Sequence, residues 1–442
     1  IFFRCLLSLM AAPALKITYE EEYYQKLCAD KQVQVQLANA LKGKCLVAKT
    51  AFAQNDIVLS EKKCVAAQNL DDKLENVKVC GNCMRSVEGV LANCLRARRK
   101  LPQSERQKLP GIAEATFVHL ETFADLPVPV PCAYAESHGC TEQYCSHKCK
   151  EEAWRRYHGV LCPKTTGFPN CKSSPIVQMH DESWVQGGIN YADTFYVVFI
   201  IFAHVLCNIR LNSMPPPEAW LPFSFFISAP WESLSFEYLL SEDDKDDEDD
   251  SDNRSKDEVV ARALELLTQL YNPKPEEQFL FEPQFFSRML GMVLLNGQER
   301  MPPSPFLEYR NHLTDWHPEI SQEALIDTIM GKSADESEQD ILNYSSKGQG
   351  IYTVAACMNH SCDPNVYVTY TAHNDEELVV TALKDIPAGT ELCISYIDED
   401  ADVEYRRSQL QNHYLFECMC DKCVRESGGP DVTAQEDPPV WA

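Results

Sequence analysis

The strongest chemical signal in this sequence is the spacing of its cysteine residues. Between positions 80 and 162 the spacing is C-x2-C, then, after a long insert, C-x7-C, C-x3-C and H-x3-C. Thiolates and imidazoles are the ligands that Zn²⁺ prefers, and metal binding supplies folding energy to a segment too short to build its own core. The spacing predicts two tetrahedral zinc sites with the ligands Cys80, Cys83, Cys132, Cys140, Cys145, Cys149, His158 and Cys162.

The fourth ligand of the second site stays open. If the ligand pairs alternate between the two ions, as in cross-braced modules, Cys80, Cys83, Cys145 and Cys149 share one ion. Cys140, His158 and Cys162 then share the other ion with one further ligand. Seven residues separate Cys132 from Cys140, which exceeds the usual two to four between paired ligands. His138, two residues before Cys140, is therefore a competing donor to Cys132.

A third cluster follows near the C-terminal end. Cys418, Cys420 and Cys423 supply three thiolates, and Cys362 is the natural fourth. Twenty cysteines at such spacings in a large chain indicate zinc in a reducing compartment and not a disulfide scaffold. Three zinc ions are therefore expected in total, and the remaining cysteines are expected to be plain core residues.

Composition restricts the class of partner. The formal net charge is -26, which repels phosphate backbones and attracts basic polypeptides over long range. Direct binding of nucleic acid is therefore disfavoured, although plain solubility explains the acidity equally well. The apolar fraction of 45% is that of a globular protein, and 442 residues suffice for two or three domains.

The longest apolar run covers residues 195–207, and it is too short to span a bilayer. We expect a buried helix there, and neither membrane insertion nor secretion. Met10 precedes small residues that are typical of a translation start, so residues 1–9 are expected to lie outside the functional protein.

The hydrophobic period changes along the chain. Residues 42–61 suggest short strands around a glycine turn, and residues 164–340 suggest helices, including one that starts at Ser255 with a capping box to Glu258. After Gly348 the period becomes two, which predicts strands. The acidic run 242–252 is predicted to be a mobile linker, and the basic insert 96–100 a solvated loop or helix. Together these patterns indicate an α+β fold.

Several motifs resemble those of one protein family. The segment 359–365, NHSCDPN, followed by ELCISY at 391–396 and then the third cysteine cluster, resembles a SET domain with its post-SET zinc site. The cysteine block 80–162 resembles a MYND zinc module, inserted after KGKCL at 42–46. The chain thus resembles the SET and MYND family of protein lysine methyltransferases from about residue 37 to 424. It is most similar to the branch without a C-terminal helical domain, because it ends soon after the post-SET cysteines.

This resemblance implies a β-rich SET fold with a knot-like crossing, an inserted MYND zinc module, a helical insert and a post-SET zinc site. The expected divisions are a disordered N-terminal leader (1–26), the SET N-terminal part (27–79), the zinc module (80–162), the helical insert (163–340), the SET catalytic part (341–397), the post-SET zinc region (398–426) and a tail (427–442).

The resemblance also implies roles for individual residues. Tyr396 is expected to be catalytic, with its hydroxyl orienting the substrate amine. The residues expected to bind the cofactor S-adenosylmethionine are Lys42, Gly43, Lys44, Asn359, His360, Tyr396 and Phe416. Cys45 stands where the family motif has its second glycine, which adds a side chain where backbone normally approaches the cofactor.

The expected activity is transfer of a methyl group from S-adenosylmethionine to lysines of basic proteins, with histone tails and ribosomal proteins as the implied substrates. The alternative is a catalytically weak scaffold that binds Pro-rich peptides through the zinc module. A third interpretation, a RING-like ubiquitin ligase element, fits the ligand order poorly. We expect a monomer in the cytoplasm and nucleus.

Overall fold

A computed structural model describes most of the chain. The described residues are 13–39, 43–75, 77–99, 103–107, 127–169, 173–182, 184–186, 189–234, 254–301, 305–306, 309, 312, 346–370 and 377–428.

Runs of strands and runs of helices follow one another along the chain. The strands are β1 (Val33–Asn39), β2 (Gly43–Ala48), β3 (Ile57–Lys62), β4 (Val65–Gln68), β5 (Val130–Pro131), β6 (Gln143–Tyr144), β7 (Val185–Gln186), β8 (Ile189–Asn190), β9 (Gln298–Arg300), β10 (Gly348–Ile351), β11 (Asn359–His360), β12 (Val366–Tyr370), β13 (Glu377–Ala382) and β14 (Glu391–Ile394). The α-helices are α1 (Pro13–Leu27), α2 (Leu70–Leu74), α3 (Val90–Arg99), α4 (Gln103–Arg106), α5 (Ala135–His138), α6 (His147–Ala153), α7 (Gly159–Leu161), α8 (Pro163–Thr166), α9 (Pro175–Asp181), α10 (Ala192–Arg210), α11 (Pro216–Trp220), α12 (Lys256–Tyr271), α13 (Pro283–Asn296), α14 (Val403–Tyr414) and α15 (Asp421–Glu426).

Three small sheets join distant parts of the sequence. Their strand orders are β1-β2-β14-β11, β4-β10-β9 and β12-β13-β3. In the first, β14 pairs antiparallel with β2, and β11 lies parallel to β14 with Asn359 opposite Cys393. The N-terminal strands therefore meet the C-terminal motifs in one sheet. Long-range pairing of this kind confirms the predicted α+β class.

Two helices match their sequence signals closely. The apolar run lies in α10, which is long and apolar enough to cross a membrane by length and composition, but 72% of its apolar window is buried within the protein. The capping box of α12 is present, because Ser255 accepts from the Glu258 amide and Glu258 accepts from the Ser255 amide. Both helices pack in the core that surrounds the helical region.

The expectation of a disordered leader over residues 1–26 is wrong for its second half. Residues 13–27 form α1, and Tyr24 is buried against the β core together with Phe225. An apolar face on this segment is stabilised by tertiary packing, which the local sequence pattern did not reveal. Residues 1–12, Lys42, the acidic run 242–252 and the tail from 429 lie outside the described residues.

Two further expectations need correction. Arg96, assigned to a solvated insert, is a buried residue of α3 whose guanidinium bonds the Glu88 carboxylate at 2.9 Å. The region 163–340, which was expected to be helical, also contains strand β9, and β9 pairs with β10. Arg300 in β9 is buried and donates to the carbonyl of Cys83 at 3.1 Å, so it ties the cysteine-rich module to this sheet.

Candidate active site and metal centres

The structure brings the cysteine-rich module's ligands together in two groups of four. Cys80, Cys83, Cys145 and Cys149 form one group, and the ligand atoms of each group lie within 4.8 Å of one another. The Sγ atom of Cys145 lies 3.7 Å from that of Cys83 and 3.5 Å from that of Cys149. Four thiolates around one Zn²⁺ at about 2.3 Å would be spaced by about 3.8 Å, so the donors fit a tetrahedral zinc ion.

The second group contains Cys132 together with Cys140, His158 and Cys162. His158 Nε2 lies 3.3 Å from Cys132 Sγ and 3.5 Å from Cys140 Sγ. His138, the competing donor, is exposed at the end of α5 and contacts the Ser137 hydroxyl at 2.9 Å. The geometry therefore selects Cys132 over His138.

Local structure explains how the first group forms. Ser146 is the N-cap of α6, where its hydroxyl accepts from the amide of Cys149 at 3.1 Å. The cap starts the helix immediately after Cys145, so the two thiols lie on the same side of its first turn. Five further residues, Trp154–His158, continue α6 as a π-helix and place His158 in the second group.

The third group consists of Cys362, Cys418, Cys420 and Cys423. Cys362 Sγ lies 3.5 Å from Cys423 Sγ and 4.0 Å from Cys418 Sγ. Arg406, which is 1% exposed, donates to Cys423 Sγ at 3.5 Å. Four thiolates on one Zn²⁺ leave two negative charges, and the guanidinium offsets part of that charge.

Asn359 and His360 lie in β11, at the centre of the SET-like motifs. The Asn359 amide donates to the carbonyl of Lys44 at 2.9 Å and to the Glu391 carboxylate at 2.8 Å, so it holds β2 and β14 in register. His360 Nδ1 accepts from the Tyr396 amide at 3.0 Å. Burial lowers the pKa of His360 to about 4, which keeps the imidazole neutral and Nδ1 available as an acceptor.

Tyr396 follows β14 and its hydroxyl donates to the carbonyl of Met358 at 2.5 Å. Its ring packs 4.8 Å from Tyr414 and 5.4 Å from His360 between ring centroids. Burial, with the neighbouring Tyr414 phenol second, raises the pKa of Tyr396 well above its usual range. The phenol therefore stays protonated and keeps its hydrogen bond to Met358 at any ordinary pH.

Tyr396 lies on the wall of a cleft of about 630 Å³. Tyr414 and the acidic residues Asp193, Glu299 and Asp398 line the same cleft. The cleft is thus lined by aromatic rings and by three acidic residues. This combination suits a substrate that carries cationic side chains.

Lys44, one of the residues expected to bind the cofactor, has a largely buried side chain. Its ammonium lies 2.7 Å from the Glu20 carboxylate of α1 and contacts the carbonyl of Phe225. Gly43 has a φ of +67°, which favours glycine, and the Cys45 side chain is buried in β2. Phe416 lies with its ring centroid 6.2 Å from that of His360.

Sequence reasoning missed several of these contacts. Glu20 belongs to the segment expected to be disordered, and Arg406 lies in a helix with no metal-binding pattern of its own. Tyr414 begins the segment YLFEC at 414–418, just before the third cysteine cluster, but that spacing gives no role to this ring. All three act through tertiary proximity, which residue spacing does not encode.

Comparisons with known proteins agree with this geometry. The SET domain family profile matches residues 231–397. The mouse protein-lysine N-trimethyltransferase SMYD5 is 28% identical over 418 residues, which cover 92% of this chain and 89% of the relative. The Arabidopsis thaliana histone-lysine N-methyltransferase ATXR2 is 25% identical over 92% of this chain and 94% of its own length. Human histone-lysine N-methyltransferase SMYD3 is 38% identical over 94 residues, 21% of each chain.

The fold, the motifs at the tyrosine-bearing cleft and these matches define a SET-domain protein-lysine methyltransferase. Within that class, the chain is similar to members of the SET and MYND domain-containing family, over most of its length to SMYD5 and over a shorter segment to SMYD3. The resemblance to this family and the methyltransferase activity expected from the sequence motifs are both confirmed.

Proposed function

We propose that this enzyme uses S-adenosylmethionine to methylate lysines of basic proteins, with histone tails and ribosomal proteins as the substrate class. The observation that carries the proposal is Tyr396, whose hydroxyl bonds the Met358 carbonyl and which lines a cleft together with three acidic residues. A net charge of -26 adds long-range attraction for such substrates. We further propose that the protein is a monomer in the cytoplasm and nucleus.

The residues present fit the cofactor. Asn359 fixes the Lys44 backbone beside β11, and Phe416 offers an aromatic face near His360. These side chains, with Gly43, would hold the nucleoside and amino-acid parts of S-adenosylmethionine, and Lys42 is a further candidate beyond the described residues. When bound, the cofactor supplies an electrophilic methyl group on a positive sulfur.

The protein's own contribution is to position and neutralise the lysine amine. A free lysine has a pKa of about 10.4 and must lose its proton to attack. The rings of Tyr396 and Tyr414 make a water-poor environment that favours the neutral amine. The Tyr396 hydroxyl donates to Met358, so its oxygen lone pairs are directed to accept an N–H of the amine and orient it.

We propose a structural role for the three ligand groups. Each would hold one zinc ion, the first two in a MYND-type module and the third in a post-SET site that fixes the segment after Phe416. Cys362 belongs to both the NHSC motif and the third group, so that ion would connect β11 to the C-terminal helices. The knot-like crossing of the SET family is part of the same proposal.

The substrate class is tested by supplying labelled S-adenosylmethionine with histones, with ribosomal proteins and with an acidic protein that has exposed lysines. We expect label on the basic proteins, falling as salt is raised because the attraction is electrostatic. Equal labelling of the acidic protein would contradict selection by charge. Cofactor binding by the purified protein, without methyl transfer to any of them, would favour the scaffold alternative.

The Glu20–Lys44 ion pair leads to a prediction about cofactor affinity. If Lys44 holds the cofactor carboxylate, Glu20 places a second negative charge on the same ammonium and weakens binding. Glu20→Gln is therefore expected to tighten S-adenosylmethionine binding about fivefold, as measured by isothermal titration calorimetry. Glu21→Gln, on an exposed residue of the same helix, is the matched control and should leave the affinity unchanged. Unchanged affinity in Glu20→Gln would exclude Lys44 as the carboxylate partner.

A further inference from the structure

Glu61 holds the turn that leads into the active-site motif. It lies in β3, and its two carboxylate oxygens accept from the amides of Val354 at 2.8 Å and Ala355 at 2.7 Å. One carboxylate thus satisfies two consecutive N–H groups at the start of the 3₁₀ turn Ala355–Cys357. A charged acceptor with two such bonds fixes both the position and the direction of the turn.

The turn continues directly to the carbonyl that Tyr396 contacts. The amide of Cys357 donates to Val354 at 3.0 Å, and the amide of Met358 donates to Ala355 at 3.0 Å. The carbonyl of Met358 then accepts from the Tyr396 hydroxyl at 2.5 Å. Three short hydrogen-bonded steps therefore connect Glu61 to the phenol.

Two opposing effects act on the pKa of the Glu61 carboxylate. Burial raises the pKa of Glu61, and the amides of Val354 and Ala355 act in the opposite direction. Loss of these two bonds would leave two amide donors inside the protein without their acceptor, which permits the turn to shift. A small shift would move the Met358 carbonyl relative to Tyr396.

We propose that Glu61 is a positioning residue for methyl transfer, which sets the place of the Met358 carbonyl and, through it, the direction of the Tyr396 hydroxyl. This inference rests on the proposed function of Tyr396. Glu61 does not contact the reacting atoms, so its removal acts on the catalytic step and not on the binding of substrate or cofactor.

The test compares Glu61→Gln with Asp72→Asn. The glutamine keeps the size but turns an N–H₂ group toward one backbone N–H. Asp72 is a matched control, because this buried carboxylate also accepts a backbone amide, that of Lys347 at 2.7 Å. We expect Glu61→Gln to lower kcat about tenfold, while the KM values for the protein substrate and for the cofactor change by less than about twofold. Asp72→Asn should lose a similar amount of thermal stability but keep the wild-type kcat.

Glu61→Asp provides a second variant if Glu61→Gln fails to fold. It keeps the charge but is too short to reach both amides, so the same fall in kcat at constant KM is expected. An unchanged kcat in a folded Glu61 variant, or an equal fall in Asp72→Asn, overturns this inference alone. Absence of methyl transfer by the folded wild-type protein overturns the proposed function and this inference with it.

Discussion

Tyr396→Phe is expected to lower kcat for lysine methylation on the order of 100-fold, the usual cost of removing one aligned catalytic hydroxyl. The phenylalanine keeps the ring that packs on Tyr414 and His360 but removes the hydroxyl that Met358 orients. Cofactor affinity should change little, because the ring remains. Steady-state kinetics with a basic protein substrate, together with calorimetry of cofactor binding, measure both quantities.

Tyr271→Phe is the matched control for this variant. The Tyr271 hydroxyl is also buried and donates to a backbone carbonyl, that of Phe199 at 2.7 Å, but it lies in the helical region. Its removal should cost comparable stability and leave kcat unchanged. Equal kcat in Tyr396→Phe and the wild-type protein would remove Tyr396 from the catalytic role.

Replacing one zinc ligand is expected to have the largest effect on stability. Cys149→Ser should lower the zinc content from three ions to two per chain and unfold the cysteine-rich module, because structural zinc supplies about 10 kcal/mol or more of folding free energy. The loss should propagate to the sheet with β10, since Arg300 bonds the Cys83 carbonyl. Zinc analysis by mass spectrometry and thermal unfolding measure these effects.

Cys207→Ser distinguishes metal binding from the loss of any buried thiol. Cys207 is fully buried in α10, outside the three ligand groups, and its thiol contacts the carbonyl of Trp154 at 3.4 Å. A serine hydroxyl can make the same contact, so this variant should keep all three ions. Three ions in Cys149→Ser would show that the first ligand group does not bind zinc as proposed.

Much of the fold followed from local sequence patterns. The capping box at Ser255 defined the start of α12, and the apolar run 195–207 predicted the buried helix α10. Alternating residues after Gly348 predicted β12, β13 and β14. These elements were predictable because each has a period or a cap that depends only on nearby residues.

Other elements depend on distant partners. Helix α1 was missed because its stability comes from burial of Tyr24 against the β core, and β9 because three residues form a strand only beside β10. Arg96 was expected in solvent, since its burial requires Glu88 eight positions earlier. Such contacts become visible only after the chain has folded.

The candidate site was predictable in composition but not in detail. Cysteine spacing gave the three ligand groups, and the NHSC and ELCISY motifs gave Tyr396 by resemblance. The choice of Cys132 over His138 required the positions of both side chains relative to His158. The Glu61 carboxylate accepts from an amide of the turn before Met358, and Glu20 forms an ion pair with Lys44. Both contacts link residues far apart in sequence.

The most direct test is methyl transfer by the zinc-loaded wild-type protein, with isotopically labelled S-adenosylmethionine and a basic protein substrate, read by mass spectrometry of the product peptides. The predicted result is labelled methyl groups on lysine side chains, absent when the cofactor is omitted. Folded, zinc-loaded protein that binds the substrate and leaves every lysine unlabelled would contradict the assignment of this cleft as a methyl-transfer site.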